Sequence, residues 1–346
     1  MRQLLLITLS LPFCVLLKAQ EKATTENHPP FDCKAFFTTD EPLEMTMVSD
    51  FKKLKSQKKK GAYQPAYAVL KFSVKDSIAD SIRVYARGEF RRMTCNMPSL
   101  MVNFKGKKNS TLNDLKKLKM VCGCSSSAYN ERLVFLEFLA YKIYNLITEL
   151  SFRVRLVKMN YVDLHNPAKP YSQYAFFIED VDDMAARNGC REFEKKASAL
   201  YSDRQQTLMM SVFQYMIGNL DWSIPNYHNV KLIQPVGDTN AAPFIVPYDF
   251  DFSGLVNASY AFPNHETFAV EKVTDRFYRG YPRTSEEVET VLHLYKENKA
   301  KILALIEGFE LLNKIDRQVM VEYIESFYRT INNQKLVEYH FINGKG

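Results

Sequence analysis

The chain has 346 residues with a formal charge of +7, and 46% of them are apolar. That apolar share excludes a generally disordered protein, and the length suits a large core or two lobes. No repeat, finger or arginine-rich recognition pattern accompanies the charge, so nucleic acid is not an expected partner.

Arg2 is followed by an apolar run from Leu4 to Leu17, interrupted only by Thr8, Ser10 and Pro12, and Ala19 supplies a small residue before a cut. This is the layout of a secretory signal over residues 1–19, too short to cross a bilayer comfortably. The expected location is therefore outside the cytosol: secreted, periplasmic or at the cell surface. No later stretch reaches about 18 apolar residues, so no transmembrane segment is expected in the mature chain. Loss of Arg2 and Lys18 lowers the charge to about +5. Cys33, Cys95, Cys122, Cys124 and Cys190 remain, enough for one or two disulfides with a thiol left over. Cys122 and Cys124 stand too close together for a normal zinc pair.

Residues 21–60 mix helix-like and loop signals. Alternation predicts strands over Ala66–Val74, Ser81–Arg87 and Ser99–Phe104. Thr111–Val121 reads as a short helix running into a strand. Asn130–Leu150 predicts a helix, because Leu133, Leu136, Leu139, Ile143 and Leu146 recur three and four apart. Strands are expected at Phe152–Tyr161 and Tyr174–Ile178, separated by a loop with Pro167 and Pro170. Asp203–Ile217 predicts an amphipathic helix closed by Gly218-Asn219. Short apolar runs follow at His228–Ile233 and Pro243–Pro247, and residues 285–335 are helical in pattern. The expected class is α+β, with a boundary near Glu179–Arg187 and a cleft between the two parts. Two lysine-rich runs, Lys52–Lys60 and Lys105–Lys119, read as solvated surface, or one of them as facing a polyphosphate or an acidic partner.

The informative spacings lie in the second half. After the helix ending at Ile217 come Gly218, Asn219, Asp221, Trp222, Asn226, His228 and Asn229. An apolar strand then ends in Tyr248-Asp249-Phe250-Asp251-Phe252-Ser253-Gly254. Phosphoryl transfer needs a carboxylate to orient or accept the nucleophile's proton. It also needs hard oxygen ligands, such as Asn carbonyls and Asp carboxylates, to hold Mg²⁺ against phosphates. Asp and Asn also dominate loops as local hydrogen-bonding residues, which is the structural reading of the same positions. His228 reads as structural or as a brace for the loop, and Trp222 as packing beneath it.

This stretch resembles the spore-coat CotH family of atypical kinases, within the protein-kinase-like superfamily, through Gly218–Asn226 and Asp249–Asp251. The resemblance implies a protein-kinase-like two-lobed fold, with a sheet-rich N-terminal lobe and a mostly helical C-terminal lobe. Residues 20–60 would be an extension, 61–180 the nucleotide-binding lobe and 181–346 the lobe carrying the catalytic and metal-binding loops. It implies Asp221 as catalytic base, Asn226 as a metal ligand with Asn229 its rival, and Asp249 or Asp251 as the metal-binding aspartate. In the first half, Arg87, Lys105 and Arg132 would face phosphates, Glu137 would position a lysine, and Glu179 would lie at the hinge beside adenine. The implied cofactors are ATP with Mg²⁺ or Mn²⁺. The implied activity is phosphate transfer to an exported protein or small-molecule acceptor, the alternative being an inactive kinase-like binding module. No Gly-rich phosphate loop is present, and NYVDLHNPAKPYSQ replaces the usual Gly-rich turn before the hinge strand. A glycosidase would need two carboxylates about 5 to 9 Å apart, and would leave Asn226 and the basic residues unexplained.

Overall fold

Seven strands form the larger sheet: β1 (Leu43–Ser49), β2 (Gln64–Lys71), β3 (Ser77–Ala86), β4 (Leu100–Asn103), β5 (Lys117–Val121), β6 (Val154–Asp163) and β7 (Asn166–Ile178). The computed structural model describes residues 35–57, 61–72, 76–105, 110–195, 197–263, 265 and 267–345. The expected signal segment, Cys33 and residues 58–60 of the first lysine run lie outside the described residues. Residues from 35 onward belong to one compact unit, Asp32–Gly346.

The sheet corrects the kinase-like expectation. Its strands run in the order β1-β2-β3-β4-β5-β7-β6, and β6 returns to pair with β1, so it closes into a barrel and is not the open twisted sheet of a protein-kinase fold. The closing strand is β1, antiparallel to β2 and parallel to β6 from Leu43 opposite Val157 to Ser49 opposite Asp163. Closure pairs each of the seven strands with two neighbours over at least part of its length. Leu43, Met45 and Met47 bury one face of β1, and Ala66, Ala68 and Leu70 do the same in β2, the two-residue period of a sheet with one covered face.

The loop expected around Pro167 and Pro170 is instead the outer half of β7, paired with β6 from Asp163 opposite Asn166. Strand β5 pairs with β7 only at Phe176–Ile178. The outer half therefore has one side without a strand partner, where a missing proline N–H breaks no ladder.

Short helices α1 (Phe51–Ser56) and α2 (Glu89–Thr94) interrupt the barrel strands, and α3 (Ala128–Ile147) separates β5 from β6. Ser127 caps α3 by accepting from the Asn130 N–H at 3.2 Å. Residues Leu133–Tyr141 of α3 are buried without a break, as expected of a helix covered all round. A smaller antiparallel sheet of β8 (Cys190–Glu192), β9 (Val230–Pro235) and β10 (Phe244–Pro247) follows α4 (Val181–Arg187), with α5 (Arg204–Met216) between its first two strands. Helices α6 (Ser285–Glu307), α7 (Lys314–Ile331) and α8 (Gln334–Val337) complete the helical part. Among the described residues, no helix is long and apolar enough to cross a membrane.

Cys95 and Cys124 form a disulfide across 29 residues of sequence, and Cys122 and Cys190 are buried free thiols. The bridge ties the end of α2 to the segment before α3, where the Asn96 and Met97 N–H groups both donate to the Cys124 carbonyl. Closing a loop of that length restricts the unfolded chain. Reduction, or the Cys95→Ser/Cys124→Ser variant, is expected to lower unfolding free energy by about 3 kcal/mol in urea titrations. An unchanged midpoint would show that the bridge does not hold the native state.

Candidate functional site

The loop after α5 owes its path to a glycine. Gly218 has φ 62°, its N–H donates to Tyr215 O at 3.1 Å, and the Asn219 N–H donates to Gln214 O at 2.8 Å. This paired closure ends a helix with a left-handed residue. A Cβ on Gly218 would lie 2.2 Å from the Tyr323 hydroxyl, so steric space and dihedral both demand glycine.

Beyond it the backbone is held from several directions. Asn219 Oδ1 accepts from the Asp221 N–H at 3.0 Å, and Trp222 Nε1 donates to Asn219 O at 3.1 Å. Arg279 donates to the carbonyls of Leu220 and Trp222 at 2.7 and 2.6 Å and lies 4.6 Å over the indole. Burial pulls the Arg279 guanidinium down to about 10, with Asp221 opposing. Ser223 and His228 exchange backbone hydrogen bonds at 2.9 Å, closing a turn in which Tyr227 and then Asn229 adopt φ 52° and 53°. These left-handed residues bring His228 and Asn229 back onto the aspartate. His228 Nε2 is 2.8 Å from Asp221 Oδ1, and Asn229 Nδ2 donates to Asp221 Oδ2 at 2.9 Å. Asn226 is exposed in the turn. The structure thus joins Asn229 to Asp221, and among the described residues Asn226 makes no hydrogen bond to that aspartate.

The acidic turn is fastened alongside. The Tyr248 N–H donates to Asn229 O at 3.0 Å. Asp249 has φ 66°, and its N–H donates to the Tyr141 hydroxyl at 2.8 Å. Phe250 is buried against Tyr141, with ring centroids 4.6 Å apart. The two flanking aspartates then part company. Among the described residues the Asp249 carboxylate has no hydrogen-bond partner. Asp251 is buried and ion-paired to Arg91 at 2.9 Å.

Arg91, carried by α2, is the centre of a buried network. It also pairs with Glu137 at 3.1 Å and donates to Ser99 Oγ and the Cys122 carbonyl. Tyr260 donates to Asp251 Oδ2 at 3.1 Å. Burial pushes Glu137 and Asp251 above the usual carboxylate range, and Arg91 offsets part of that rise. Burial alone would lower Arg91, but Tyr260, Asp251 and Glu137 hold its pKa well above the ordinary value. One cation faces two carboxylates, and Glu137 Oε1 is buried without a hydrogen-bond partner. The residue that Glu137 positions is thus an arginine.

On the barrel side, Lys119 Nζ lies 4.0 Å over the Tyr248 ring. Burial, reinforced by the charges of Arg87 and Lys231, lowers its pKa to about 7, against the opposing effect of Asp249 and Asp180. Lys231 is itself paired with Glu192. Arg87, expected at phosphates, is within electrostatic reach of Lys119 and Tyr248. The other first-half candidates lie elsewhere. Arg132 pairs with Asp316 at 2.6 Å, tying α3 to α7. Glu179 is buried and pairs with Arg187 at 2.9 Å, also accepting from the Arg153 N–H. Lys105 is exposed just after β4. Sequence reasoning missed Arg91 and Lys119. Arg91 stands four residues after Arg87, and Lys119 alternates with Leu118 and Met120, so a strand places it on the opposite face from them.

The metal implied by the resemblance fits this site in part. Among the described residues, no three His, Cys, Asp or Glu side chains converge as ligands. Asp251 is taken by an arginine, which supplies there the positive charge a metal would bring. Asp249 and the amide oxygen of Asn229 remain as two hard oxygens on adjoining segments. Two suffice for Mg²⁺ when phosphates and water fill the remaining positions. Set against known proteins, the chain matches no family model and shows no significant similarity to a curated protein.

Proposed function

We propose that this chain is a metal-dependent phosphotransferase that moves the terminal phosphate of ATP to a hydroxyl acceptor outside the cytosol. The reading rests on the site and the CotH resemblance of its residues, since the barrel differs from a kinase sheet. The observation that carries it is the fixed Asp221 carboxylate, oriented by His228 and Asn229, with the unpartnered Asp249 one backbone hydrogen bond away. Asp221 orients the acceptor hydroxyl and takes its proton as the acceptor oxygen bonds to phosphorus and the bond to ADP breaks. Asp249 and Asn229 would hold the Mg²⁺ or Mn²⁺, which supplies charge neutralisation to the phosphates when bound. Lys119 and Arg87 add positive charge from the barrel. Export is supported by the signal-like residues 1–19 and by the disulfide, which favours an oxidising compartment. Commitment of Asp251 to Arg91 favours a second reading, a module that binds nucleotide without transfer.

Calorimetric titration with ATP tests the nucleotide step. Binding is expected only with the divalent ion, and Asp249→Asn should abolish it. At pH 8 the free Lys119 ammonium, lowered to about 7, is largely neutral, and phosphate beside it favours the charged form. Binding should therefore take up nearly one proton at pH 8, by comparison of buffers, and less near pH 6. The uptake should vanish in Lys119→Met. No ATP binding with or without the ion would overturn the proposal.

A further inference from the structure

We infer that the acceptor served by Asp221 is a phenol, a six-membered ring carrying the reacting hydroxyl, as in a tyrosyl side chain. The inference rests on the phosphotransferase reading and names its substrate class.

The Asp221 side chain is 38% exposed. It lines a cavity of about 150 Å³ whose other walls are Gly218, Leu220, Phe252, Phe262, Pro263, Lys272 and Val273. Among the described residues that line it, five are apolar side chains, Asp221 is the one carboxylate, and Lys272 is the one cation. The cleft is partly open and its lining mixes polar and apolar surface, with room for a six-membered ring against its apolar side. A seryl or threonyl side chain carries too little apolar surface to displace the water from it, whereas an aromatic ring gains the whole contact.

The aromatic wall is built and held. Phe252 meets Phe90 edge-on at 6.0 Å and Tyr260 in a tilted pair at 5.7 Å, and Tyr260 is itself fastened to Asp251. Phe262 meets Phe252 edge-on at 6.0 Å yet remains 70% exposed. A large aromatic left in water beside a cavity is the edge-to-face partner that an entering ring lacks. Gly218 contributes to the same wall, so the turn that places Asp221 also keeps the cavity open. The exposed ammonium of Lys272 at the wall suits an acceptor with acidic groups beside the phenol.

In the step, the phenolic proton passes to Asp221 and the phenolic oxygen bonds to the terminal phosphorus of ATP. The phosphorus–oxygen bond to ADP breaks, leaving its electron pair on the ADP β-phosphate. The shared chemistry is the phenol, which a peptide or a free phenolic compound can present.

The test uses the full mature chain with ATP and Mg²⁺. It compares an acidic peptide containing one tyrosine, the same peptide with serine there, and N-acetyltyrosine amide. ATP binding is measured alongside. Tyrosyl peptide is expected to exceed seryl peptide at least about tenfold in kcat/KM, a methylene-scale or larger discrimination. Use of the free amide as well would identify the phenol alone as the determinant, and preference for the peptide would add Lys272 and its acidic partner. Val273→Trp, which fills the cavity, should raise KM for the tyrosyl peptide about tenfold or more, with ATP binding reporting that the fold is kept. Equal use of serine and tyrosine, or ATP binding with transfer to neither, overturns the inference. Absence of ATP binding instead overturns the phosphotransferase reading on which it rests.

Discussion

Replacing Asp221 by asparagine is expected to lower phosphate transfer about 10²- to 10⁴-fold, the range for loss of a positioned acid–base group, while ATP binding stays within about threefold. The change is nearly isosteric, so the loop should keep its course. Its supports are largely independent of the carboxylate: Arg279 on the Leu220 and Trp222 carbonyls, the Trp222–Asn219 hydrogen bond, and the Ser223–His228 turn. What changes is the capacity to accept a proton. An amide at position 221 still fits between His228 and Asn229, but its oxygen is a far weaker base. The effect should therefore fall on kcat with little change in the KM for ATP, the pattern of an interaction made in the transition state. Single-turnover assays with labelled ATP would measure it. Transfer surviving within tenfold in the variant would remove Asp221 from the role of base.

Arg91→Met should destabilise the fold by about 3–5 kcal/mol, the cost of removing one partner from a buried charge cluster. Methionine replaces the unbranched stem but not the guanidinium, and the variant leaves Glu137 and Asp251 buried with no cation between them. The loss is expected to be smaller at pH 5 than at pH 8, because the stranded carboxylates protonate more readily at the lower pH. Both groups have folded pKa values raised above their unfolded ones, so the folded state binds the extra protons. Their contribution is greatest below the unfolded carboxylate range and declines as pH rises through the folded values. Removal of Arg91 raises those folded values further and steepens the decline. Urea unfolding at the two pH values measures the difference, and Arg91→Met/Glu137→Gln should recover part of the stability by removing one stranded charge. A loss below about 1 kcal/mol at pH 8 would mean that the cluster is solvated and not the buried triad described.

Much of the local structure was legible in the residues. The leucine and isoleucine spacing announced α3, whose observed span Ala128–Ile147 lies within a few residues of the expected Asn130–Leu150. Alternation placed β2, β3 and β4. Gly218-Asn219 marked the end of α5 because a left-handed closure asks for glycine, a demand written in one residue. These features depend on neighbours a few positions apart, which is the range over which sequence patterns carry physical information.

The barrel and the final form of the site belong to longer distances. Strand β1 hides its alternation in Leu43, Met45 and Met47, and only the parallel pairing with β6, more than 100 residues away, turns a sheet into a closed surface. The hydrogen bond from Asn229 to Asp221 depends on left-handed residues at 227 and 229, which no glycine marks in the sequence. Arg91 meets Asp251 across 160 residues; in the chain it is one basic residue among several after Gly88, and only burial beside two carboxylates sets it apart. Lys119 passes for part of a solvated lysine run until the fold lays it over Tyr248. By itself, then, the sequence determined the helix and most strand positions, the glycine turn and the presence of Asp221 and Asp249 in loops. The tertiary structure decided which cation meets which carboxylate and that the sheet closes, because pairing energies and desolvation arise only when distant segments are buried together.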